Sequence, residues 1–159
     1  MAKLSGQITV TAVGKIKAKH WRAAQDEYLK RLSRYTTIKL VEVKDVVGRG
    51  RPDEAAMAQE GETLLKASAN VRRRIALTPT GKLLGSETFA RFVQKEVEAY
   101  GRIAFLIGGP LGFSPDVLDQ CPVQISLSPL TFTHELARVI LLEQLYRAAT
   151  IVAGEKYHK

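Results

Sequence analysis

Apolar residues along the chain fall into short unbroken runs separated by longer stretches in which they recur every three or four positions. The strongest run is Ile103-Ala-Phe-Leu-Ile107, ended by Gly108-Gly109-Pro110 and followed by Leu111 and Gly112. Five residues are too few for an independent helix, and an uninterrupted apolar run predicts a strand buried on both faces of a parallel sheet. Glycines at the C-terminal end of such a strand permit a sharp turn and let a ligand come close to the main chain. In open α/β sheets that edge is also where ligands bind.

The remaining pattern alternates between strand and helix. Gln7–Val13 predicts a first strand ended by Gly14. Lys19–Arg34 places Trp21, Ala24, Tyr28, Leu29 and Leu32 near one helical face, with Lys19, Arg22, Lys30, Arg31 and Arg34 on the other. Ile38–Val43 predicts a second strand, then Val47–Pro52 a flexible basic loop and Asp53–Ala69 a helix with Ala56, Leu64 and Leu65 inward. Ile75–Leu77 predicts a third strand, followed by a turn over Thr78–Lys82. Ser86 is a good N-cap for a helix to about Tyr100 that buries Phe89, Phe92, Val93 and Val97. Ser114-Pro115 starts a short helix, Val123–Leu127 is a fifth strand, and Thr133 caps a last helix from His134 to about Ala153. The alternation predicts one α/β domain over residues 1–159 with a largely parallel sheet. The last helix is apolar almost all round and needs cover on more than one side. A partner subunit in a two-fold homodimer is a natural cover.

Composition adds its main information through the position of charge. Residues 1–52 hold 12 Lys/Arg against 4 Asp/Glu, whereas residues 53–159 hold 12 of each, so the whole net charge of +8 lies in the first third. That distribution points to a surface facing a polyanion beside a separate neutral site. One cysteine permits no internal disulfide, and three scattered histidines form no metal-ligand cluster. No apolar run reaches membrane-spanning length and the N-terminus lacks a signal-peptide core, so a cytoplasmic protein without a structural metal is expected.

Two clusters carry candidate chemistry. His134 and Arg138 are four apart and share one face near the start of the last helix. They form either a site or, respectively, a capping residue and an ion-pair partner. Val13-Gly14-Lys15-Ile16 has a single glycine where a dinucleotide fold would carry G-x-G-x-x-G, which argues against a nicotinamide-dependent oxidoreductase.

An ordered set of segments resembles the RlmH family, the small SPOUT-class methyltransferases of large-subunit ribosomal RNA. These are Ile8–Lys15 with Trp21 and Glu27-Tyr28, Glu60-Gly61-Glu62, Ala76-Leu77, Phe105–Gly112, Ser126–His134, Arg138-Val139, Glu143–Ala148 and Tyr157-His158-Lys159. The resemblance covers nearly the whole chain. It implies a SPOUT-type α/β fold with a C-terminal trefoil knot, a homodimer, and methylation of N3 of a pseudouridine in a 23S rRNA stem-loop on the assembled ribosome. It implies S-adenosylmethionine as cofactor, contacted by Leu77, Gly108 and the loop Leu127, Ser128, Pro129, Leu130, Thr131 and Phe132. On the RNA side it implies roles for His134, Arg138, Tyr157 and His158. Arg138 would hold a phosphate or stabilise the developing imide anion, and His134 or His158 would accept the proton, since histidine titrates near neutral pH. Thr133 departs from the proline often found there in relatives, and it can cap the helix equally well.

Overall fold

The computed structural model describes residues 3–159. Five strands form one parallel sheet in the order β2-β1-β4-β3-β5, made of β1 (Gln7–Val13), β2 (Thr37–Val43), β3 (Arg73–Leu83), β4 (Arg102–Ile107) and β5 (Val123–Ser126). The helices are α1 (Lys19–Leu32), α2 (Asp53–Ala67), α3 (Ser86–Tyr100), α4 (Pro115–Asp119) and α5 (His134–Val152). The apolar run is the central strand β4, with Ile103 to Ile107 all buried. Its alternate side chains feed two cores. Ile103, Phe105 and Ile107 join the core beneath α1, α3 and α5, and Ala104 and Leu106 join the core beneath α4. Burying a side chain the size of Phe105 contributes roughly 1.5–3 kcal/mol, so the strand anchors both layers.

The nearly all-apolar α5 lies between α1 and α3 and over the sheet, so its cover comes largely from within the chain. Its buried residues include Val139, Leu141, Leu142, Leu145, Ala148 and Ala149. The inward position of α1 is taken partly by Gln25, which is buried beside Leu32. Trp21 is half-buried at the start of α1, its ring 4.8 Å from that of His20. Cys121 is buried in the α4 core, where desolvation pushes its thiol up to about 11.

Two expected features differ. The turn expected over Thr78–Lys82 is part of β3. Leu77 and Lys82 both pair with Ile125, so residues 78–81 form an excursion after which the strand resumes its pairing with β5. Gly81 makes the return possible, because a Cβ there would stand 2.6 Å from the carbonyl carbon of Ile125 and 2.7 Å from its nitrogen. At α3 the cap is Gly85 rather than Ser86, whose hydroxyl instead donates to Gln144 Oε1 of α5 at 2.9 Å.

Gly81→Ala therefore has to push β5 away from β3. The expected loss is about 1–3 kcal/mol, typical of overpacking against an immovable neighbour. Chemical denaturation should show a lower midpoint with an unchanged slope.

Candidate active site

Three segments converge at the C-terminal ends of β3, β4 and β5. They are the start of the β3 excursion at Leu77, Thr78 and Pro79, the turn at residues 107–113, and the loop at residues 127–132. Together with His134 and Ala137 of α5 they wall an open cavity of about 540 Å³. That volume is within the range of roughly 300–1,000 Å³ that small-molecule sites occupy.

Local chemistry shapes each wall. Gly112 takes φ +81° and its N–H donates to Gly109 O at 3.0 Å, closing the turn on itself. A Cβ on Gly108 would stand 3.1 Å from the carbonyl carbon of Gly112, so the missing side chain is what lets the turn close. In the facing loop, Ser126 Oγ donates to Ser128 O at 2.9 Å and Ser128 Oγ accepts from Leu130 N at 3.0 Å. Those bonds hold Leu130 outward, 72% exposed, at the rim beside the 45%-exposed Leu111. Thr133 Oγ1 accepts from Leu136 N at 3.4 Å and caps α5. The exposed His134 thus stands at the cavity edge on a helix N-terminus, where free N–H groups favour negative charge.

Among the described residues, no Asp, Glu, Lys or Arg lines the cavity. Its walls offer apolar surface, backbone groups and the hydroxyls of Thr78, Ser128 and Thr131, with His134 as the one titratable side chain. Of the eight residues expected at the cofactor, Leu77, Gly108, Leu127, Ser128, Leu130, Thr131 and Phe132 line it, and Pro129 is the exposed residue between two that do. A ligand with an aromatic ring and a polar sugar fits this set, and S-adenosylmethionine has both.

Arg138 is elsewhere. It is 1% exposed, and its guanidinium donates to Gly14 O at 2.9 Å, Glu42 Oε2 at 2.5 Å and Gln25 Oε1 at 3.4 Å. Of the two roles open to it, ion-pair partner is the one its side chain takes here. Glu135 acts alongside, accepting from Lys17 N at 2.6 Å, so the first turns of α5 clamp the loop after β1.

Tyr157 and His158 are also away from the cavity. Tyr157 donates to Glu143 Oε1 at 3.0 Å, and His158 Nδ1 lies 3.1 Å from Arg147, which is itself paired with Glu143 at 2.7 Å and set over the Tyr157 ring. At 1.5 Å per helical residue, Arg147 is roughly 20 Å along α5 from His134. The structure thus joins Arg147 to the tail, a role the sequence offered only as part of the Glu143–Ala148 segment.

Two checks follow from these contacts. Arg138→Ala strands the Glu42 carboxylate and the Gly14 carbonyl. It should cost about 2–4 kcal/mol in urea unfolding, short of the most severe cases because Glu42 keeps 29% side-chain exposure. The second check is a tyrosinate absorbance titration. The hydrogen bond to Glu155 raises Tyr35 to about 12, and burial followed by the bond to Glu143 raises Tyr157 to about 12. Their neutral forms stabilise the fold fully below about pH 10, and that contribution is lost as pH rises through 12. Two tyrosines should ionise late, and Tyr157→Phe should remove one of them. Ionisation of Tyr157 near pH 10 would mean that the tail is not docked.

Comparison with known proteins identifies the family. The family described as "Predicted SPOUT methyltransferase" matches residues 7–158. A protein of Clostridium kluyveri named ribosomal RNA large subunit methyltransferase H is 41% identical, over 96% of this chain and 99% of its own length. One of the same name from Halothermothrix orenii is 43% identical over the same shares. Among solved structures, a probable methyltransferase from Bordetella pertussis superposes with TM-score 0.55 at 12% identity, covering 92% of this chain and 98% of its own. A probable methylase family protein from Haemophilus influenzae gives 0.54 at 14%, covering 100% and 72%. At such identities the two structures bear on the fold alone.

Proposed function

Because the chain belongs to the SPOUT methyltransferase family, we propose that it methylates N3 of a pseudouridine in large-subunit ribosomal RNA, using S-adenosylmethionine. The observation that carries this reading is the cavity without charged lining at the C-terminal edge of β3, β4 and β5, with His134 at its rim. The names of the relatives supply the substrate class, and the resemblance of the sequence motifs supplies the base and atom.

The cofactor supplies an electrophilic methyl group on a sulfonium centre. The chain's contribution is to orient, to exclude water and to help the imide lose its proton. Leu77, Leu127, Leu130 and Phe132 offer apolar walls, and the Gly108–Gly112 turn offers main-chain groups without obstructing side chains. Holding the reacting atoms about 3–3.5 Å apart can lower the barrier by roughly 7–11 kcal/mol. His134 accepts the imide proton in this scheme, and the α5 N-terminus stabilises the developing anion. Arg138 positions that turn of α5 from behind, through Gly14, Glu42 and Gln25.

The basic face of α1 and the loop bearing Arg49 and Arg51 then bind rRNA phosphates. Tyr157 and His158 dock on Glu143 and Arg147, well along α5 from His134 and outside the cavity lining, which favours a homodimer in which the tail serves the other subunit's site. The reading places the enzyme in the cytoplasm, acting on the ribosome, with its C-terminal strands and helix threaded as a trefoil knot. No helix among the described residues is long and apolar enough to cross a membrane.

The test is methyl transfer from labelled S-adenosylmethionine to ribosomes lacking this modification, with free rRNA alongside. Label at a single pseudouridine is the expected result, and its restriction to assembled ribosomes identifies the ribosomal surface as substrate. Cofactor binding without label on either RNA would overturn the substrate assignment.

A further inference from the structure

Glu60 is a carboxylate on α2 that is only 3% exposed and lies outside the cavity lining. Its Oε2 accepts the N–H groups of Val46 at 2.8 Å and Val47 at 3.1 Å, at the root of the loop that carries Arg49 and Arg51. Its Oε1 lies against the turn at the cavity, because a Cβ on Gly109 would come within 2.8 Å of it. No Lys, Arg or His pairs with this carboxylate among the described residues. The two loop N–H groups thus compensate its burial.

The next residue continues the contact. A Cβ on Gly61 would stand 2.7 Å from both Ser114 Oγ and Val117 Cγ2, so α2 presses on the segment that leaves the turn as well. One turn of α2 therefore touches the turn at Gly109, the segment behind it at Ser114, and the basic loop at Val46 and Val47. A buried carboxylate with one oxygen on each element transmits displacement between them, since the loop cannot shift without losing its hydrogen bonds to Oε2 and the turn cannot move toward α2 without overlapping Oε1.

We propose that Glu60 is a positioning residue that couples the basic loop after β2 to the glycine turn of the cofactor cavity. Occupancy of the cavity fixes Gly109 and, through Glu60, the loop that meets the RNA backbone. This rests on the methyltransferase reading above. Glu60 touches neither reactant in this scheme, and its effect appears in the binding of both.

The coupling is readable without any variant, from amide hydrogen exchange at Val46 and Val47 with and without saturating S-adenosylhomocysteine. Slowing on the order of ten-fold is expected, within the usual range of coupling between sites, and Glu60→Gln should lose part of it because a neutral amide oxygen accepts more weakly. Glu60→Ala should raise KM for S-adenosylmethionine and for ribosomes together, with Glu60→Gln recovering most of both. A purely structural role would lower kcat through the active fraction and leave both KM values unchanged. If S-adenosylhomocysteine binds by calorimetry and exchange at Val46 and Val47 does not change, the coupling is overturned. If it does not bind, the cofactor reading fails first and takes this inference with it.

Discussion

A charge can be buried only with partners, and the Arg138 guanidinium is buried at the junction of four elements. It joins the first turns of α5 to the end of β1 at Gly14, to β2 at Glu42 and to α1 at Gln25. The sheet fixes where β1 and β2 end, so this interaction fixes where α5 begins. The beginning of α5 in turn sets the cavity rim and the direction in which its N-terminal N–H groups face. A methionine of similar length would fill the volume, but it would leave the Gly14 carbonyl and the Gln25 amide without their partner. The arrangement is therefore specified by hydrogen-bond direction as much as by packing.

Charge is distributed so that two kinds of recognition do not interfere. Among the described residues the cavity wall carries no Asp, Glu, Lys or Arg, while the excess of Lys and Arg is confined to the first third of the chain. Phosphate-binding residues inside the cavity would compete for a sulfonium cofactor's carboxylate, and acidic residues there would repel RNA. With no carboxylate, lysine or arginine in its walls, the cavity draws its polarity from the backbone, from the hydroxyls of Thr78, Ser128 and Thr131, from His134 and from the helix N-terminus.

The strands and helices were largely legible because each burial pattern has a single period. Ile103 to Ile107 read as a doubly buried strand and is one, and the Gly108–Gly112 turn, expected at a ligand edge, lines the cavity together with the loop that the resemblance put at the cofactor. What escaped was non-local. Pro79 and Gly81 look like turn residues, and only the approach of Ile125 shows why the strand resumes after them. Arg138 on an apolar helix is equally compatible with a site and with a buried ion pair, because Glu42 is 96 residues away in sequence. Glu60 carries no local signal, since its partners are backbone groups. The distance of Tyr157 and His158 from His134 comes from the tail docking on Glu143 and Arg147, contacts that no local pattern shows.

The lone tryptophan has a practical consequence. Trp21 is half-buried at the start of α1, against His20 and four residues after Lys17, whose N–H Glu135 of α5 accepts. With no second indole in the chain, emission excited beyond the tyrosine band comes from the start of α1 alone. The protein thus carries its own optical reporter at the head of the helix that bears the basic face.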